Sequence, residues 1–150
     1  MEFGLFQGGF VHRDMAASNP NAEHDRLLVI GAHDDSFLTT RITLNGLEEP
    51  GPMVFSRGAK YRLRVIDIGP NVDADLQLGS KEHLATWRAI AKDGATVPAR
   101  LAKPGAAVLH IASGEVYDFE FQPEAAGEIP LQIENYFNNK GKLVGKIVVQ

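Results

Sequence analysis

The sequence predicts an all-β protein, a sandwich or a barrel, and three observations predict it. Residues 58–69, GAKYRLRVIDIG, alternate Tyr61, Leu63 and Val65 with Arg62 and Arg64. That period of two places successive side chains on opposite faces of a half-buried strand. Residues 115–122, EVYDFEFQ, repeat the design, with Tyr117, Phe119 and Phe121 on one face and Asp118, Glu120 and Gln122 on the other. Short apolar runs then recur between Gly, Pro and Asn turns at intervals of roughly 8–12 residues, with no convincing long helix, as in sandwiches and barrels.

The two alternating stretches are the expected anchors. The apolar phase of the first shifts at Val65 and Ile66, which predicts either a bulge or burial on both faces where two sheets meet at a corner. The arginines of the first and the acids of the second are complementary. If their outer faces adjoin, cross-strand ion pairs contribute a few tenths of a kcal/mol each, about 0.5 at most.

In chain order, residues 1–24 read as an N-terminal arm and linker and residues 25–150 as the domain. The arm GLFQGGFVHR carries Leu5, Phe6, Phe10 and Val11 around glycines, and the polar stretch that follows contains Asn19-Pro20, a loop signal. A strand is expected from Leu27 to about Gly31, followed by an exposed turn at His33, Asp34, Asp35 and Ser36. Residues 39–44 form another strand, closed by Asn45-Gly46, a turn dipeptide that tolerates left-handed backbone. Pro50-Gly51-Pro52 leads into Met53, Val54 and Phe55, and residues 72–79 alternate again. Residues 84–92 fit a short helix or a strand; the neighbouring strands and the Asp93-Gly94 turn favour strand. Residues 106–114, 129–135 and 142–150 supply the remaining strands.

A chain of 150 residues, 44% hydrophobic, suits one domain with a sizeable core. The formal net charge of -4, with fifteen basic residues spread along the chain, argues against nucleic acid, whose phosphates require clustered Lys and Arg. No apolar run approaches the roughly 20 residues that cross a bilayer, and the first residues lack a basic region followed by an apolar core. The expectation is a soluble chain with no membrane partner and no export signal. There is no cysteine, which excludes disulfides, thiolate nucleophiles and thiolate metal sites.

The order Gly58, Tyr61, Arg62, Arg64, Val65, Ile66, Asp67, Ile68, then Trp87 to Ile90 with Asp93-Gly94, then Ser113, Gly114, Glu115, Tyr117 and Asp118, resembles the second cupredoxin domain of multicopper oxidases, the laccase-like enzymes. The resemblance runs from about Gly46 to Gln122 and more loosely beyond. Asp67 stands where that family usually has Asn, and Ser113 and Val116 replace Pro and Arg. The arm resembles the strand that follows the His-x-His copper ligands at the end of a first oxidase domain, without those ligands. The resemblance implies a cupredoxin-like Greek-key β-sandwich or barrel. It also implies copper in the parent enzyme, neighbouring cupredoxin domains as partners, and a periplasmic or extracellular parent.

Residue chemistry limits what this chain can do with copper. A blue copper centre takes two His, a Cys and a weak axial Met, and the Cys is missing. A trinuclear centre uses several His-x-His pairs, yet His12, His24, His33, His83 and His110 never fall two apart. The remaining metal candidates are weak: His33 with Asp34, and His24 nine positions earlier. A strand between them holds the two histidines roughly 30 Å apart at about 3.3 Å per residue, so a solvated turn is the simpler reading. His110 alternates with Leu109 and Ile111 and is expected to face solvent or an interface. His12 and His83 read as polar surface. Glu48-Glu49 reads as a charged loop, Asp73 and Asp75 as a solvated strand face, and Trp87 as core.

No Walker loop, nucleophile elbow, zincin or dinucleotide motif occurs. The expected function is therefore a scaffold: a copper-free domain that spaces the copper-bearing domains of a phenol- or metal-oxidising parent and walls its substrate cleft. No catalytic or cofactor-binding residue is assigned, and the chain alone is expected to be inactive. The alternative is a free-standing β-sandwich binding or adhesion module, since fold does not fix function. Leu5, Phe6 and Phe10 on the arm also predict self-association into a homo-oligomer.

Overall fold

The computed structural model describes residues 24–36, 39–70, 72–137 and 141–150. Twelve strands form: β1 (Asp25–Ser36), β2 (Thr39–Leu44), β3 (Met53–Phe55), β4 (Tyr61–Asp67), β5 (Ala74–Leu78), β6 (Thr86–Lys92), β7 (Ala95–Thr96), β8 (Pro104–Ala106), β9 (Val108–Ile111), β10 (Val116–Phe121), β11 (Gly127–Asn135) and β12 (Lys142–Val149). They make two mixed sheets. The first runs β2-β1-β4-β10-β6-β7, with β8 also on β6; the second runs β3-β12-β11-β5-β9. The all-β sandwich read from the sequence is therefore the observed architecture, and in the stretch 84–92 residues 86–92 are strand, with no helix. The arm, with His12 and the three apolar residues proposed for self-association, lies outside the described residues; of residues 1–24 only His24 is described.

β4 and β10 are antiparallel neighbours at the middle of the first sheet, with Arg64 opposite Asp118 and Leu63 opposite Phe119. Alternation decides which side chains fill the interior. Tyr61, Leu63 and Val65 of β4 and Phe119 and Phe121 of β10 point inward, where they meet Leu76, Leu78, Ile111, Leu131, Ile133, Leu143 and Ile147 of the second sheet. Burying a side chain of this size stabilises by about 1.5–3 kcal/mol. Trp87 joins this core, stacked on Phe119 with ring centroids 3.8 Å apart.

The phase shift in β4 has a different cause from the one expected. β4 stays in continuous register with both β1 and β10, and its burial alternates without a break through Asp67. The inward position after Val65 is taken by that aspartate. Ile66 lies on the outer face between Val29 and Val116, an apolar patch that half-buries it. Away from β4, the β6–β10 ladder does shift register: Asp118 and Phe119 face Ala91 and Ala89, so Ile90 of β6 is the extra residue.

The turn at residues 33–36 also needs correction. β1 continues to Ser36, because β2 folds back along it and pairs Gly31 with Thr43, His33 with Arg41 and Asp34 with Thr40 before a register shift. A hairpin partner supplies the ladder that the polar run could not signal by itself. Asn45 and Gly46 then form the expected turn with φ of 51° and 83°. The Asn45 side chain extends the ladder along β1: Oδ1 accepts from the Val29 N–H at 2.8 Å and Nδ2 donates to the Leu27 carbonyl at 2.9 Å. Asp93 and Gly94 repeat the geometry with φ of 48° and 80°, and Asp93 Oδ1 accepts from the Val116 N–H at 2.9 Å.

Gly79, just after β5, is the glycine the crossover between sheets cannot replace. Its φ is +101°, and a Cβ there would lie 2.3 Å from the His83 carbonyl oxygen and 2.9 Å from Leu84 Cα. Gly79→Ala should cost about 3 kcal/mol or more through this clash with backbone. Gly94→Ala, with open space around it, should cost about 1 kcal/mol from backbone strain. Urea unfolding midpoints of the two variants test the contrast; equal losses would contradict it.

Candidate functional site

Polar chemistry in this domain collects in four places, and each is set by strand register. The largest is the outer face of the first sheet. Arg62 and Arg64 stand two apart on β4, so both point outward beside Asp118 of β10. Asp118 is only 4% exposed. Its Oδ1 accepts from Arg64 Nε at 2.9 Å and its Oδ2 from Arg62 Nε at 3.1 Å, with Arg62 Nη2 also on Oδ2. The next outward acid, Glu120, accepts from Arg88 Nη2 of β6 at 2.8 Å and faces Lys60 Nζ at 3.6 Å. The expected cross-strand pairing thus forms at Asp118, whereas Glu120 turns to cations of its other neighbours. Lys92 closes this lattice on Glu115 at 2.8 Å. That bond, with the Ala112 N–H, holds the Glu115 carboxyl below its ordinary range, and Lys92 is correspondingly held above its own.

The candidate metal residues do not converge. His24 precedes β1 and packs against the Tyr61 ring at 5.1 Å. His33 lies toward the other end of the same extended strand, with Nε2 3.1 Å from Glu48 Oε1. Arg41 donates to the other oxygen of Glu48 at 2.8 Å, and this bond chiefly lowers the Glu48 pKa, helped by the charges of Arg41 and His33. Asp34 pairs through its backbone with Thr40. Among the described residues no group of three or more His, Cys, Asp or Glu is arranged to hold a metal ion. Glu48, read from the sequence as a plain loop charge, is the bridge of this small triad. The turn after β2 brings Glu48 back to Arg41, and the pairing of β2 with β1 sets His33 beside them.

His110 on β9 lies opposite Asp75 on β5. Its Nδ1 is 2.8 Å from Asp75 Oδ1 and its Nε2 is 4.0 Å from Asp73 Oδ2, while Tyr136 packs edge-on against the ring at 4.7 Å. The imidazole, half exposed, is clamped between two carboxylates. Asp75 is solvated as expected whereas Asp73 is partly buried, and the fold gives both a histidine partner that spacing did not reveal. Ser80 and His83 form a turn, with the His83 N–H donating to Ser80 Oγ at 3.1 Å.

An open cleft of about 630 Å³ lies where β6, β8 and the connection from β10 to β11 meet. Trp87, Arg88, Glu120, Pro123, Glu128 and Ile129 are among its lining residues. Its volume is that of a small-molecule site, of the order of 300–1,000 Å³. Of its acids, Glu120 pairs with Arg88 and Glu128 with Lys146 at 2.7 Å, and Glu124 also lines it.

The Asp118 clamp makes a quantitative prediction. Truncation by Asp118→Ala leaves two partly buried guanidinium groups facing each other and should cost about 3 kcal/mol. Glu128→Ala removes an exposed pair and should cost about 0.5 kcal/mol or less. Denaturant titration of both variants checks the ranking, and a negligible loss at Asp118 would refute it.

No protein-family model matches the chain, and no curated protein matches it in sequence. Solved structures do match in fold. Fet3p, described as a multicopper oxidase that functions in iron import, superposes with a TM-score of 0.67 at 9% identity, covering 83% of this chain and 27% of that one. A laccase-like multicopper oxidase from an Ochrobactrum species gives 0.65 at 17% identity, covering 85% and 31%. The blue copper oxidase of Nitrosomonas europaea gives 0.60 at 18% identity, covering 87% and 46%. The chain thus spans less than half the length of each. Its architecture is the cupredoxin-like β-sandwich found in multicopper oxidases, the laccase-like enzymes included.

Proposed function

We propose that this chain is a copper-free cupredoxin-like domain of a laccase-like multicopper oxidase, a rigid spacer between copper-bearing domains and a wall of the substrate cleft. The single observation that carries the reading is the pairing of this fold with a sequence that contains no cysteine. The copper–thiolate bond of a blue site has no donor here. Three of the described histidines are engaged separately, with Tyr61, Glu48 and Asp75 as partners of His24, His33 and His110. The donor set does not fit the copper centres of such oxidases, so no step of oxidase chemistry is routed through these residues.

The proposed role is mechanical. A domain of this kind holds its neighbours at a fixed separation, which demands a stiff body and surface suited to burial. The core supplies stiffness. Val54, Val108 and Val144 on the second sheet, with Tyr136 and Phe137 at its end, are all about half exposed or more, apolar surface that a neighbouring cupredoxin domain would cover. The one-electron oxidation of phenols or metal ions, with reduction of dioxygen to water, belongs on this reading to the parent. So does a periplasmic or extracellular location.

Incubated with copper, the purified chain should develop no intense visible copper–thiolate band and should not turn over a phenolic substrate. Absorption spectroscopy with an oxidase assay checks this; a blue, active protein would refute the reading. The flanking coding sequence separates the alternatives: His-x-His pairs upstream and a His-Cys-His motif downstream support the oxidase, whereas stop codons on both sides favour an independent binding module.

A further inference from the structure

Asp67 is a fully buried carboxylate, 0% exposed, that none of the sites above uses. It ends β4, where its N–H donates to the Glu115 carbonyl at 3.2 Å and its own carbonyl accepts from the Gly114 N–H at 2.8 Å. The backbone is thus fixed, and the inward parity of β4 sends the side chain into the sandwich. Oδ1 accepts from the Gly69 N–H at 2.8 Å. Among the described residues no donor reaches Oδ2, which is buried. The surroundings are closely packed: a Cβ added at Gly69 would lie 3.3 Å from each of Ala32 Cβ, Val72 Cβ and Asp67 Oδ1.

Among the described residues no cation is paired with this group. Asp73 and Glu115 act on it with like charge. Lys92 is drawn to Glu115, and His110 to Asp75 and Asp73. On the side of β1, Ile30 is the register partner and Ala32 packs against the Gly69 turn, while His33 pairs with Glu48. An ionised carboxylate buried without a counter-ion is costly, and a bound proton removes most of that cost.

We propose that Asp67 gives the domain a built-in preference for acid: folding takes up a proton at this carboxyl, and its loss leaves a buried charge that destabilises the folded state. Burial drives the effect, pushing the carboxyl from 3.8 up to about 6 against the opposing Gly69 hydrogen bond, with Asp73 and Glu115 adding to the rise. The sign follows from linkage. Between these two values the folded state holds a proton that the unfolded state has released, so stability falls as pH rises through that window and is level on either side. The full effect is about a hundredfold in the folding equilibrium constant. Glu48 and Glu115, whose carboxyls are held low, slope the other way at lower pH, so the test must be differential.

Chemical denaturation of the chain and of Asp67→Asn at pH 4.5 and 7.5 provides it. Asn keeps the acceptor for Gly69 and cannot ionise. The folding constant of the variant relative to the natural chain should rise roughly thirtyfold between the two pH values; a constant ratio overturns the proposal. Should the variant fail to fold, NMR titration of the Asp67 side-chain carboxyl carbon in the natural chain decides. A midpoint near 6 supports the proposal, and one at or below 4.5 overturns it.

Discussion

The structure depends on the pairing of β4 with β10. Each strand alternates strictly, so the single register that sets Leu63 opposite Phe119 also sets Arg64 opposite Asp118. Slipping by one residue would turn the aromatic face of β10 to solvent and its carboxylates into the core. The outer clamp of Asp118 under two arginines reinforces the same register from the other side. Such a buried pair adds little net stability, but breaking it leaves uncompensated charge, so it selects the arrangement more than it strengthens it.

Around this pair the chain alternates between sheets, and its tight points are chosen by backbone chemistry. Asn45 and Asp93 both adopt left-handed backbone before a glycine, and both use the side-chain oxygen to occupy an N–H of an adjoining strand. Turn and ladder are satisfied by one residue, which pins the hairpins of β1 and β6. Gly79 serves a different need, the close passage of the chain beside His83 and Leu84. These devices stiffen the body without adding to the core.

The polar groups are arranged for compensation more than for reactivity. Asp118, Glu120, Glu115, Glu48 and Glu128 each meet a cation, and His110 sits between two acids. A reactive site keeps some of its groups uncompensated, because a perturbed proton affinity or an open coordination position is what chemistry uses. Asp67 differs from Asp118, the other buried acid among the described residues: no donor reaches its Oδ2, and it is shut away from solvent. Its environment couples to folding, and nothing about it is accessible to a substrate.

The sequence by itself determined the strands that alternate, their inward faces, the two Asx-Gly turns and the exclusion of any thiolate copper site. Each is a local or compositional property: period, φ preference, or the absence of a residue type. It also placed Trp87 in the core and Arg62 and Arg64 beside an acid. Tertiary structure decided the rest. β1 reaches Ser36 only because β2 returns along it, and β7 and β8, too short to carry a period, exist through their pairing with β6. Glu48 acquires His33 through the pairing of β1 with β2, His110 acquires Asp75 across strands distant in sequence, and Asp67 is turned inward where no described cation meets it. A charged residue looks the same in a sequence whether its partner is a cation, an acid or nothing, and only the packing of one strand against the next supplies that partner.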